Sequence, residues 1–371
     1  MCKNELVLEE DNLRMKIIEA TEVFQKAVAL EDKDYLRQLH QQAKQYGAHN
    51  SEQLLSLLKK YQDYIIEPEE LDIEKISPVL KNVKTDKKWE ELFFLIRHTW
   101  SMPYNKGFGR RLRYVVFDRY HGAVMGIIGL QSPPADLACR DNLFDYPQDK
   151  KMELINQTMD IYSLGSVPPY SGLLGGKLVA GLAASKEVCR DYKKKYAEQV
   201  TLLDGKKLDT KLVALTTTSA FGRSSIYNRL KYKDRLLAEP IGYTKGYGSI
   251  HLDAVYPEIR QFLESKDVYH YGGYGKGPKQ RWQNIGRALS LLEVPQKKVK
   301  HGVEREVFLY RLVDKLEEGM SGGEFGKSIA IDSKEFSAYW LERWAIPRAH
   351  RKPEWKKLST VEYFTDTLKG F

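Results

Sequence analysis

Three stretches of this 371-residue sequence carry residue types at spacings that could do chemistry. In the first, the apolar run Met159 to Leu164 ends at Gly165 and at Pro168-Pro169, which cannot extend a ladder. Gly172, Gly175 and Gly176 then open a helix, with Lys177 beside them. A glycine turn between strand and helix aims backbone N–H groups and the positive helix end at an anion, so a phosphate could sit there. The second stretch, Thr216 to Ser225, brings hydroxyls and Arg223 to a strand end. Those groups suit phosphate or sugar contacts, and equally suit capping and turn hydrogen bonds. The third runs from Val268 to Trp282 and interleaves aromatics with Lys276, Lys279 and Arg281 on a glycine-rich backbone. Phosphate contacts plus stacking faces are what single strands or unpaired bases require; a surface loop tied down by Tyr packing would use the same residues.

The elements that must position these residues are legible from periodicity. Residues 159–164 and the β-branched run 211–218 read as strands, and Leu178, Leu182 and Val188 mark the apolar face of the helix after the first. Ser224 or Ser225 is placed to cap a helix carrying Ile226, Tyr227, Leu230 and Tyr232. Leu112–Asp118 and Ala123–Leu130 form the clearest hairpin, across Arg119-Tyr120-His121-Gly122. A second hairpin is expected from Leu236–Tyr243 and Gly248–Leu252, with His251 in it. Helices are expected from Trp89 to Trp100, from Pro257, and from Gln283 to Leu292; Glu306–Tyr310 reads as a strand or a short helix. Near the end, Trp340 and Trp344 lie one turn apart beside Arg343 and Arg348, either as core aromatics with snorkelling arginines or as a groove-facing basic helix end. The expected class is α+β, a central mixed sheet flanked by helices. Its parts would be a helical region over 1–80, a core over 81–255 and a basic extension over 256–371.

Residues 1–80 carry 10 Lys+Arg against 16 Asp+Glu, a balance of −6, whereas residues 81–371 stand at +15. A basic body behind an acidic helical cap suggests a polyanion partner, nucleic acid first. The cap residues Leu13, Ile17, Phe24 and Leu36 recur at helical spacing, and His40 and His49 have no ligand-spaced companions and read as surface residues. Nothing approaches an apolar membrane span or a secretion signal, and Cys2, Cys139 and Cys189 are too far apart for a zinc or disulfide framework, so a cytoplasmic protein is expected. Gly176-Lys177 is not a P-loop, because Ser171 replaces the first glycine and Leu178 follows the lysine. No metal spacing and no glycine-flanked nucleophile elbow is present.

The order hairpin, glycine turn, strand, then Ile226-Tyr227-Asn228-Arg229-Leu230-Lys231-Tyr232 resembles the acyltransferase superfamily related to general control N-acetyltransferases. The resemblance implies a turn at Gly172, Gly175, Gly176 and Lys177 that cradles the pyrophosphate of coenzyme A or acetyl-coenzyme A. It implies Tyr227 as the acid that protonates the departing thiolate, with His251 or Asp160 as base. Gly172 stands where the family has Gln or Arg, and Lys231 where it has Gly. Residues 85–355 also resemble the Druantia anti-phage system protein A family, in Leu173–Leu178, Leu215–Leu230, Gly242–Gly248 and Trp340-x-x-Arg343-Trp344. That resemblance implies a defence component working beside other proteins, a large helicase among them, and favours nucleic acid as ligand; with the basic body and the basic-aromatic loop, DNA, single-stranded or forked, is expected. Contacts to it would come from Arg223, Ser224, Ser225, Arg229, Lys276, Lys279, Arg281, Trp282, Arg343 and Arg348. Three readings stay open: a nucleic-acid sensor, an acyltransferase, and a scaffold that uses the acidic cap.

Overall fold

The computed structural model describes residues 3–44, 51–102, 107–200, 205, 207, 209–246, 250–269 and 280–369. Seven strands make one mixed sheet: β1 (Pro78–Asn82), β2 (Arg111–Asp118), β3 (Ala123–Gln131), β4 (Thr158–Ser166), β5 (Ala214–Thr218), β8 (Glu239–Tyr243) and β9 (Glu306–Arg311). β6 (Lys231–Tyr232) and β7 (Arg235–Leu236) form a separate ribbon. The order is β1-β2-β3-β4-β5-β9-β8, antiparallel throughout except for the parallel pair β4 and β5. The class is mixed α+β, as the periodicity led us to expect.

Fourteen helices flank it among the described residues. They are α1 (Lys3–Ala29), α2 (Lys33–Lys44), α3 (Ser51–Lys60), α4 (Lys87–His98), α5 (Ala138–Asp141), α6 (Lys151–Ile155), α7 (Gly175–Leu182), α8 (Lys186–Tyr196), α9 (Tyr256–Ser265), α10 (Gln280–Leu291), α11 (Leu316–Met320), α12 (Ser333–Trp340), α13 (Ile346–Arg351) and α14 (Thr360–Lys369). None is long and apolar enough to cross a membrane.

β3 is buried along its whole length, which a strand reaches only when both sheet faces are covered. Val115, Val124 and Ile127 face a layer from α3, α4 and α14, built on Leu54, Trp89, Leu92, Phe93 and Phe364. Tyr114, Val116, Met125 and Ile128 face the opposite layer, with Leu178, Val179 and Leu182 of α7, Val188 and Tyr192 of α8, and Phe336 and Trp340 of α12. The β2–β3 hairpin forms as expected, and Gly122 supplies the positive φ its turn requires. His121 in that turn is neither solvent-borne nor catalytic in placement. Its Nδ1 lies 2.7 Å from the fully buried Asp118, which also accepts from Ser77 N, Tyr120 N and the Tyr170 hydroxyl.

The acidic cap does not stand apart. Leu13, Ile17, Phe24 and Ala27 of α1 and Leu36 of α2 share one core with Ile250, Ile259, Phe262, Ile285, Leu289 and Val303. Lys16 reaches Glu258 at 2.8 Å, and Lys266 reaches Glu10 at 2.6 Å.

Two expected elements are not formed. After β5 the chain makes a turn, not a helix: Asn228 N bonds Ser224 O, Arg229 takes φ 56°, and β6 follows at once. Lys233 and Asp234, both at positive φ, turn that strand back on β7, so the apolar spacing belongs to a hairpin. The second hairpin's far strand is described only from Ile250, and β8 does not pair with residues 250–252. It pairs antiparallel with β9, while Ile250 N bonds Val299 O. The long-range partner displaced the local one, and Glu306–Tyr310 is a strand.

Close approach of α7 and α12 is tested at Gly181, where an added Cβ would lie 2.1 Å from the Phe336 ring. Gly181→Ala should destabilise the fold by about 1–3 kcal/mol through overpacking, more than the ~1 kcal/mol of helix propensity gained. A melting temperature equal to or above wild type would refute this packing account.

Candidate functional site

β4 and β5 pair over Thr158–Ile161 and Ala214–Thr217 and then part. The register of β4 against β3 shifts between Gly129 and Leu130, leaving Tyr162 as an extra residue. A bulge bends its strand and re-aims the bulged side chain. Tyr162 needs that room, since a Cβ on Gly129 would lie 2.8 Å from its ring. The parted strands open a cleft of about 1790 Å³. β4 from Tyr162 to Ser166 forms one wall, continued by Gly176 and Lys177 of α7. Thr218 to Phe221 and Ser224 to Tyr227 form the other wall. The C-terminal end of α4 (Arg97 to Trp100), α2 (Arg37, Gln41, Lys44), His251, Asp253, Arg281, Trp282 and Arg305 complete the rim.

At the inner end, where the strands separate, Asp160 accepts from Thr216 Oγ1 at 3.0 Å and from Gln131 Nε2 at 3.1 Å. Burial pushes its carboxyl up to about 6, against the lowering pull of those two hydrogen bonds. Tyr227 is 6% exposed, with its hydroxyl 3.3 Å from Thr217 Oγ1. Burial holds that phenol up at about 12, so it stays protonated at neutral pH.

The basic groups shift the other way. Burial, then Arg97, lowers Lys44 to about 7; its Nζ donates to the carbonyls of His98 and Trp100 at 2.9 and 2.5 Å. Burial, then Arg229, lowers Lys177, whose Nζ donates to Asn228 O at 2.8 Å and sits 5.7 Å from the Trp344 ring. Burial lowers Arg305 as well. Burial lowers His251 although Asp253 opposes it. Three cationic groups and one imidazole depressed around one cleft mark a region that would gain from an anion.

The residues expected to act are distributed unevenly. Gly176, Lys177, Ser224, Ser225, Tyr227, His251, Arg281 and Trp282 all line the cleft. Gly172 faces the C-terminal helices: an added Cβ would lie 2.6 Å from Trp355, and its carbonyl accepts from Arg348 Nε at 3.4 Å. Gly175 is pressed against Tyr170 O, at 2.6 Å from an added Cβ. Leu174 before it takes φ 60° and is held by Trp340 Nε1 at 3.1 Å. Arg223, Arg229 and Arg343 are exposed and outside the cleft lining. Lys276 and Lys279 lie outside the described residues. Thr216 and Thr217 spend their hydroxyls on Asp160 and Ile161 O. Arg140 and Asp141 pair with each other, at 2.6 Å.

His40, expected on the surface, is 5% exposed, with Nδ1 2.6 Å from His251 Nε2 and its ring against Phe24 and Phe221. Its partner is 211 residues away, which spacing in sequence could not reveal. Arg37, Lys44, Arg97 and Arg305 were missed. For the first two the signal was the 37/41/44 spacing of one helix face.

Asp160 yields a stability prediction. Its folded pKa lies above the unfolded value, so its contribution is fully present below pH ~4 and lost as pH rises through about 6. Because the residue borders an open cleft, the loss should be on the order of 1–2 kcal/mol. Asp160→Asn should remove that fall between pH 5 and 8 in denaturant titrations. An unchanged pH slope would mean the carboxyl is ionised throughout.

The sequence profile of the family described as Druantia protein DruA matches residues 30–322. A protein described as Druantia protein DruA, from Escherichia coli (strain UMEA 4076-1), is 36% identical over 347 residues, covering 91% of this chain and 86% of its own length. No solved structure matches the chain.

Proposed function

The chain belongs to the Druantia protein DruA family, and from that premise we propose that it is the nucleic-acid-binding component of an anti-phage defence system, working with the system's other proteins, a helicase among them. The observation that carries the reading is the charge of the cleft. Arg37 and Lys44 from α2, Arg97 from α4, Lys177 from α7, Arg281 from α10 and Arg305 before β9 meet there, against two carboxylates among the described lining residues, Asp160 and Asp253. Among the cations stand Trp100, Tyr162 and the 44% exposed Trp282. Cations follow a phosphate backbone, and exposed rings stack on unpaired bases, so the favoured ligand is DNA with single-stranded character.

The test is an electrophoretic shift with single-stranded, duplex and forked DNA at two salt concentrations. Binding should weaken steeply with salt, and Arg37→Ala should flatten the slope by about one. Trp282→Ala should cost about 1–3 kcal/mol on single-stranded and forked DNA and much less on duplex. Both side chains are exposed enough for the variants to fold. Folded wild-type protein that shifts none of these ligands at low salt would overturn the reading.

A second reading, transfer of an acyl group from coenzyme A, is favoured by one observation. The parallel strands part directly above a protonated phenol, Tyr227, beside the start of α7. The sheet order and its single parallel pair suit a core of the acetyltransferase type. In this reading Gly176 and Lys177 would face the pyrophosphate, while Gly172 and Gly175 would serve packing. Isothermal titration with acetyl-coenzyme A should then give heat that Lys177→Ala reduces. No heat from folded wild type would remove it.

A further inference from the structure

Arg305 is a poorly balanced charge in the cleft. Its Nε is buried and has no hydrogen-bond partner, and among the described residues no carboxylate forms an ion pair with it. A buried guanidinium in that state is costly unless a charge arrives to meet it. Three other groups share its corner. Arg281 Nη2 holds Asp253 Oδ1 at 2.6 Å, and His251 Nδ1 stands 3.7 Å from Asp253 Oδ2. The corner thus presents two guanidinium groups against one carboxylate, and that carboxylate is already engaged by Arg281.

Its back is filled. Behind His251 lies His40, its ring 4.7 Å from His251, 5.3 Å from Phe221 and 5.8 Å from Phe24. His301 adds a ring 6.4 Å from Phe24. A strand running onward would have to pass through these buried rings, so the corner suits the end of a strand.

We propose that His251, Arg281 and Arg305 form a subsite for a terminal phosphate of a nucleic-acid strand, a phosphomonoester. The proposal rests on the nucleic-acid reading and adds what the cleft recognises. A terminal phosphate carries up to two negative charges and three free oxygens, whereas an internal phosphodiester carries one charge and two. Paired guanidinium groups give bidentate, charge-assisted bonds to such a group, and the neutral His251 ring adds a further polar contact. The same corner explains why His40 and His301 lie near 3 and 4: burial leads, and Arg305 repels protons from both.

The experiment compares three internally labelled single strands of one sequence, ending in 5′-phosphate, 3′-phosphate or hydroxyls at both ends, by fluorescence anisotropy. Wild type should bind one phosphorylated strand about tenfold tighter than the hydroxyl-ended one, and which end wins identifies the source. Arg305→Lys and Arg281→Gln should bring that ratio to about one, whereas Arg37→Ala should weaken all three strands and keep the ratio. If Arg305→Lys fails to fold, Arg281→Gln reads the same ratio. Equal, tight binding of all three strands by wild type overturns the subsite and leaves the nucleic-acid reading standing. No binding of any strand overturns both.

Discussion

The parallel ladder between β4 and β5 lasts only from Thr158/Ala214 to Ile161/Thr217, and the bulge at Tyr162 then turns β4 away. Beyond that point β4 keeps β3 as its neighbour but, among the described residues, has no strand on its other edge, so the sheet stays whole on one side and opens on the other. Gly129 leaves space for the Tyr162 ring, Leu174 adopts a left-handed conformation to start α7 beside the opening, and Trp340 clamps its carbonyl. The glycine in the strand and the left-handed leucine each cost some local stability, and the Trp340 bond and the two covered faces of the sheet hold them.

The cleft separates two kinds of titratable group. Its inner end keeps an acid and a phenol under apolar cover, so Asp160 and Tyr227 both hold protons more tightly than usual. Its rim gathers bases that hold protons less tightly because of burial, with a neighbouring arginine adding to it at Lys44 and Lys177. A polyanion laid along the rim relieves the second strain without touching the first. The nucleic-acid and acyl-transfer readings therefore draw on different ends of one space.

Sequence periodicity made the strands legible because their burial is regular: Met159–Leu164, Leu112–Asp118 and Ala123–Leu130 all lie in the sheet. It misplaced the segment after β5, where Ile226, Tyr227 and Leu230 are apolar because the cleft and sheet bury them, not because they share a helix face. The glycine turn was legible as a turn, but whether each glycine faced ligand or neighbour depended on Trp355 and Tyr170, far along the chain or across it. Most of the rim was invisible for the same reason. Arg37, His251, Arg281 and Arg305 converge only because α1 and α2 share a core with residues 250–303.

That shared core ties the cleft to the order in which the chain is made. When α1 and α2 leave the ribosome, their partners, from Ile250 to Val303, are still more than two hundred residues from being synthesised. Closing so long a loop is slow, and until it closes α2 does not bring Arg37 and Lys44 to the rim. A chain cut between the cap and the second half would therefore keep both walls of the cleft while losing the part of the rim that α2 supplies.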